Sequence, residues 1–206
     1  MRHLLRLVAL VIAGVIAGAA RADTVDPDLP ALYRVIGVAA DDVLNVREAP
    51  DAAAAIIGTL DPAAEAVEVV ALSREGGWGL TNFGERAGWV AMRYLGRHRE
   101  DGLAADAAAR LTCFGTEPFW TITGFDRPAL RLLTPDGGTT HPQSRPVDDA
   151  MVTQAARYGL RLTWEDTSGP VTAHILRGQC GDGMSDRAYG LHYVDDAGRL
   201  GCCSLN

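Results

Sequence analysis

The sequence predicts an all-β protein: a small barrel followed by a second antiparallel β-barrel or strongly curved sheet that carries disulfides. Three observations predict it. Short apolar runs recur at intervals of about ten residues between Asp42 and Val90, punctuated by Gly and Pro. A second series of such runs follows Leu111, and within it Leu160-Arg161-Leu162-Thr163-Trp164 alternates cleanly enough to bury one face and wet the other. All four cysteines, Cys113, Cys180, Cys202 and Cys203, fall in that second half.

The N-terminus comes before any of this. Arg2, His3 and Arg6 make a basic start, Leu4 to Ala20 is an almost unbroken apolar run, and Ala20-Arg21-Ala22 fits the small-x-small cleavage rule. Residues 1–22 are therefore expected to be a signal peptide cut after Ala22, giving a periplasmic or secreted protein. No cysteine near the junction could take a lipid, and no later run is long and apolar enough to span a bilayer, so no stable membrane anchor is expected. Asp23 to Leu32, with Pro27 and Pro30, reads as a flexible lead-in.

The first barrel is expected over residues 33–96. Asp42-Val43-Leu44-Asn45-Val46-Arg47-Glu48-Ala49-Pro50 is an alternating strand closed by a turn-forming proline. Ile57-Gly58-Thr59-Leu60, Val67-Glu68-Val69-Val70, Gly77-Trp78-Gly79-Leu80 and Gly88-Trp89-Val90 supply four more, and Trp78 and Trp89 are expected to sit at the centre. At these residues the segment resembles the bacterial Src-homology-3 domain, whose hallmarks are an L-N-V-R-x-x-P strand, an I-G-x-L strand and a late G-W-V strand. That resemblance implies an envelope-associated recognition module. A groove between the turn after Arg47 and the two tryptophan strands is the expected contact surface, with Asn45, Arg47 and Glu75 as polar contacts. Trp78, flanked by Gly77 and Gly79, is the better candidate for an exposed binder; Trp89 reads as core.

Residues 97–110, charged and Ala-rich without apolar periodicity, read as a linker. The second domain, 111–206, is expected to hold strands at Phe119 to Thr123, Ala129 to Leu133, Leu160 to Trp164, Val171 to Leu176, Tyr189 to Val194 and Arg199 to Cys203, with a helical turn or two over Met151 to Tyr158. Four cysteines in an exported protein most simply make two disulfides, for which three connectivities exist. Adjacent Cys202 and Cys203 point to opposite faces of a strand, which favours Cys180 bonding one of them and Cys113 the other. A thiol redox pair or a metal site lacks C-x-x-C spacing and ordered His partners.

Two further stretches stand out: Cys113-Phe114-Gly115-Thr116-Glu117-Pro118-Phe119-Trp120, and Cys180-Gly181-Asp182-Gly183-Met184-Ser185-Asp186-Arg187-Ala188-Tyr189. With the closing Gly201-Cys202-Cys203 they resemble a bacterial envelope domain carrying G-T-E-P-F-W early, M-S-D-R-x-Y late and a terminal G-C-C. That resemblance implies a location and a domain boundary but no reaction. Glu117 facing Arg187 would tie the early strand to the late one, as an ion pair or as a ligand contact. Asp182, Ser185 and Asp186 suit turn capping, and their spacing does not match a calcium-binding EF-hand loop.

The formal charge is −7, and without Arg2, Arg6 and Arg21 the remaining 16 arginines face 26 acidic side chains. An acidic chain of this size has no general field for nucleic acid, and with no lysine it has no Schiff-base chemistry. His141, His174 and His192 show no metal-ligand spacing, and a carboxylate pair such as Glu117 with Asp186 is not required by any spacing. The expectation is thus a non-catalytic envelope binding protein for cell-wall peptide or an envelope protein, with no cofactor and no metal. Alternatives are a lysozyme-inhibitor-like or small-ligand-binding barrel, and a cryptic cell-wall hydrolase.

Overall fold

The computed structural model describes residues 29–97, 110–143 and 159–205, and every described element of regular length is a strand. The expected signal peptide, most of the expected linker and the helical turn expected at Met151 to Tyr158 lie outside these residues.

The front barrel packs two small sheets. One has the order β3-β2-β7-β6-β5, from β2 (Leu44–Arg47), β3 (Ile56–Leu60), β5 (Ala71–Leu72), β6 (Trp78–Phe83) and β7 (Arg86–Ala91). The other has the order β4-β1-β8, from β1 (Ala31–Val35), β4 (Val67–Val69) and β8 (Leu95–Arg97). Strand β1 begins inside the stretch expected to be a lead-in, and Leu29 and Pro30 before it are already buried.

The core between these sheets corrects one expectation. It is built from Tyr33, Val35, Leu44, Val46, Val67, Val69, Val90 and Leu95, and neither Trp78 nor Trp89 belongs to it. The reason is the two-residue period of a strand. In Gly-Trp-Gly and Gly-Trp-Val it is the glycine that faces inward. A Cβ on Gly79 would lie 2.6 Å from Met92 Sδ and 2.9 Å from Val69 Cγ1, and one on Gly88 would lie 2.5 Å from Val46 Cγ1. The hairpin can approach the valines that closely because those positions carry no side chain. The tryptophans are turned outward and half-buried.

The second sheet of the front barrel is covered on both sides. Tyr33, Val35, Val67 and Val69 face the front core, while Leu32 and Ala66 join the core of the second domain. Leu32 pairs with Glu68 across β1 and β4, so Glu68 also faces the second domain, where its carboxylate is buried and accepts Ser204 Oγ at 2.5 Å and the Leu205 N–H at 3.0 Å. Burial pushes this carboxyl above its ordinary value, against the lowering effect of both donors and of the nearby Arg187 charge.

The second domain is one eight-stranded antiparallel sheet of order β12-β11-β10-β9-β16-β15-β14-β13, curled into a nearly closed barrel. Its strands are β9 (Thr112–Thr116), β10 (Phe119–Thr123), β11 (Ala129–Thr134), β12 (Gly137–Pro142), β13 (Leu160–Asp166), β14 (Gly169–Cys180), β15 (Tyr189–Asp195) and β16 (Leu200–Ser204). Every strand but β12 pairs with its successor in sequence, and β9 pairs with β16, the up-and-down topology. The β12–β13 seam is drawn together by an isolated bridge between Gln143 and Trp164 and by His141 Nδ1, 2.9 Å from the Glu165 carbonyl. Alternation fills the interior with Trp120, Ile122, Leu130, Leu160, Leu162, Trp164, Ala173 and Tyr193.

At one end of the barrel Tyr193 donates to Asp195 at 2.9 Å, and Arg199 bonds both Asp195 (3.1 Å) and Asp166 (3.0 Å). Burial and the Asp195 charge push the Tyr193 phenol far above its usual range. The disulfides are Cys113–Cys203 and Cys180–Cys202, the connectivity in which the two adjacent cysteines take different distant partners. Cys113 and Cys203 stand directly opposite across β9 and β16 and face the interior, whereas Cys202 belongs to the outer face.

Candidate functional site

The outer face of the β2-β7-β6 sheet collects most of the residues the sequence singled out. On β2, Leu44 and Val46 go inward, which leaves Asn45 and Arg47 outward and half-buried. Arg47 pairs with Trp89, Trp89 with Leu80, and Leu80 with Ala71, so these four form one row across the face. Trp78 pairs with Ala91 in the next row. Trp78 and Trp89 are therefore diagonal neighbours on one side of an antiparallel pair, where backbones are roughly 7–8 Å apart and large rings still meet. The row on the other side of Leu80 and Trp89 holds Asn82 and Ala87.

Polar groups around this face are partly committed. Arg47 donates one Nη to the Ala54 carbonyl at 2.7 Å and so holds the turn between β2 and β3, where the Glu48 N–H also meets the Ala55 carbonyl at 2.9 Å. Asn45 has no side-chain hydrogen bond among the described residues. Glu75 is exposed at the tip of the turn before β6. That turn is set by Ser73, whose N–H donates to the Trp78 carbonyl and whose Oγ accepts the Trp78 N–H at 3.2 Å. Trp78 thus stands on a backbone pinned from both directions.

Residues 42–96 match the family described as Bacterial SH3 domain. This segment is a bacterial SH3 domain. No curated protein and no solved structure matches the chain. The SH3 assignment points to a role in binding cell-wall material or peptide, and together with the two disulfides it points to an extracytoplasmic location. No described helix is long and apolar enough to cross a membrane.

The remaining singled-out residues belong to the rear barrel. Glu117 is exposed at the turn between β9 and β10 and makes no ion pair with Arg187; among the described residues it has no polar partner at all. The polar link between the early and late motifs is instead made by Thr116 Oγ1, which donates to the Asp182 carbonyl at 3.0 Å. Arg187 is half-buried with its guanidinium 5.5 Å from the Tyr189 ring centre. His174 and His192 are exposed on the outer face of the rear barrel, while His141 is buried at the seam against Trp164. No group of three or more His, Cys, Asp or Glu side chains among the described residues is arranged to hold a metal ion.

Sequence reasoning missed Asn82 and the polar interior of β4. Asn82 sits one strand position from a turn, where asparagine is commonplace, so composition carried no signal. Glu68 did leave one: a lone carboxylate inside Val67-Glu68-Val69-Val70 is costly unless a donor waits for it.

Proposed function

We propose that this chain is a non-catalytic, exported binding protein of the bacterial envelope, and that its SH3 domain takes cell-wall peptide across the Trp78–Trp89 face. The observation that carries the reading is the outward placement of both tryptophans, with Leu80 between them and Asn45 and Arg47 at the border. Each ring can bury on the order of 150–250 Å² against a ligand, and flanking amide and guanidinium groups supply orientation. A non-catalytic role is supported by the chemistry of the motif residues. The four cysteines are tied in disulfides, which removes the thiolate a reactive-cysteine hydrolase needs. Asp182 is engaged by three donors from Met184 and Ser185 of its own turn. The small-ligand alternative draws nothing from the rear barrel, whose interior is occupied by Trp164, Tyr193, Phe125 and Ile122.

The test is retention on purified peptidoglycan. Wild-type protein should co-sediment, and Trp78→Ala should lose roughly tenfold in affinity or more, the scale of a central aromatic anchor. Equal retention of the two proteins, or none by either, rules the reading out.

A further inference from the structure

The M-S-D-R-x-Y stretch of the rear barrel meets the SH3 domain at Asn82 and Ala87, and it is densely hydrogen-bonded within itself. Asp182 organises it. Its carboxylate accepts the Met184 N–H (2.9 Å), the Ser185 N–H (2.9 Å), Ser185 Oγ (2.7 Å) and, more weakly, the Tyr189 hydroxyl (3.4 Å). Burial alone would raise this carboxyl, but those donors hold it below its ordinary value. Ser185 Oγ then accepts the Arg187 N–H at 3.3 Å, and Thr116 fixes the turn to β9 through the Asp182 carbonyl. Tyr189 packs edge-on against Phe114, 4.9 Å between centres. The loop is thereby held rigidly on its own barrel.

What this rigid loop offers outward is backbone. Asp186 donates its N–H to the Glu85 carbonyl at 3.0 Å and accepts the Ala87 N–H at 2.8 Å, which adds one residue to the open start of β7. Two residues on, Ala188 donates its N–H to Asn82 Oδ1 at 2.9 Å and accepts Asn82 Nδ2 at 2.8 Å. One side-chain amide thus reads both polar groups of a single residue. Behind this contact Glu68 receives Ser204 and Leu205, Leu32 and Ala66 enter the rear core, and Pro30 lies against Gly190.

We propose that the Asp182–Tyr189 segment is a docking element for a bacterial SH3 domain, and that its partner is the β6–β7 hairpin of the SH3 domain in the same chain. The preformed loop recognises that hairpin through Asn82 and the start of β7. The recognition is non-covalent and self-sufficient, and the intervening chain only raises the local concentration. Docking covers the Asn82–Ala87 end of the outer sheet face and leaves the rows holding Trp89 and Trp78 beyond it.

Both disulfides lie wholly in the rear barrel, so one cut between the domains frees them covalently. A protease site inserted within residues 98–109 of the full chain allows that cut after folding. The nicked wild-type fragments should co-elute on size exclusion at micromolar concentration. Asn82→Ala removes two bonds and should weaken the pair roughly 10- to 100-fold. Gly190→Ala places a methyl 2.9 Å from Pro30 Cδ, and the three atoms nearest that methyl all belong to Pro30, so it strains the junction and spares the barrel. Far-UV spectra before cleavage confirm that each variant is folded. Separation of the nicked wild-type fragments overturns the proposal, as does unchanged association in both variants.

Discussion

Glu68 shows how one residue can place a whole strand. It interrupts an apolar run, and a carboxylate there is tolerated only because Ser204 and Leu205 present donors at 2.5 and 3.0 Å. Its carboxyl titrates above the ordinary value because burial disfavours the charge. The folded chain therefore binds this proton more tightly than the unfolded chain. The stabilising contribution is complete below the ordinary value of 4.5 and declines as pH rises through the folded value. Glu68→Gln keeps an acceptor and removes the titration, so its stability relative to wild type should improve from pH 4 to pH 8. Chemical denaturation at the two pH values measures this, and a pH-independent difference contradicts it. Glu68→Ala takes the buried acceptor from the Leu205 N–H and should cost about 1–3 kcal/mol at either pH.

At the scale of the element, period two decided what could be read in advance. Strands with one wet face were legible: Phe119–Thr123 and Leu160–Trp164 lie within or coincide with observed strands. Strand β1 was not, since Ala31, Leu32, Tyr33 and Val35 are all buried and an element covered on both faces shows no alternation. Strand β12 failed for the opposite reason. In Gly-Gly-Thr-Thr-His-Pro only His141 is buried, and the strand exists through six paired positions with β11 that leave no trace in hydropathy. Asn45, Arg47 and Trp78 lie on one outer face, and Trp89, expected in the core, lies there too because the register turns Gly88 inward instead. The same register makes a prediction. Gly88→Ala points a methyl into Val46 and Ile57, with the Arg47 carbonyl 3.1 Å away, so it should destabilise by about 1–3 kcal/mol, read as a lowered denaturation midpoint. A neutral result would mean that the hairpin does not lie so close to the valines.

Taken whole, the molecule is two barrels joined over a sheet that serves both, with sulfur bridges confined to one of them. Cys113–Cys203 spans 90 positions and Cys180–Cys202 spans 22. In the chain-entropy description these closures are worth roughly 4.6 and 3.4 kcal/mol. Reduction should therefore lower the thermal midpoint of the rear barrel sharply. Because Leu32, Ala66 and Glu68 rest on that barrel, the SH3 domain should lose stability with it, although it contains no cysteine. Unfolding followed through the SH3 tryptophans Trp78 and Trp89, with and without reductant, distinguishes this from independent melting, in which the front transition would not move.

The strand order of the rear barrel has one more consequence. Seven of its eight lateral joins are paired strands; the eighth, among the described residues, rests on Gln143 with Trp164 and on one histidine nitrogen. That weak line lies diametrically across from β9 and β16, which carry Cys113 and Cys203. If the cylinder tears, it opens like a bound book: four strands swing to each side, and the covalent spine between them stays whole. The leaves remain in order, so the wall can roll shut again without any strand having to search for its neighbour.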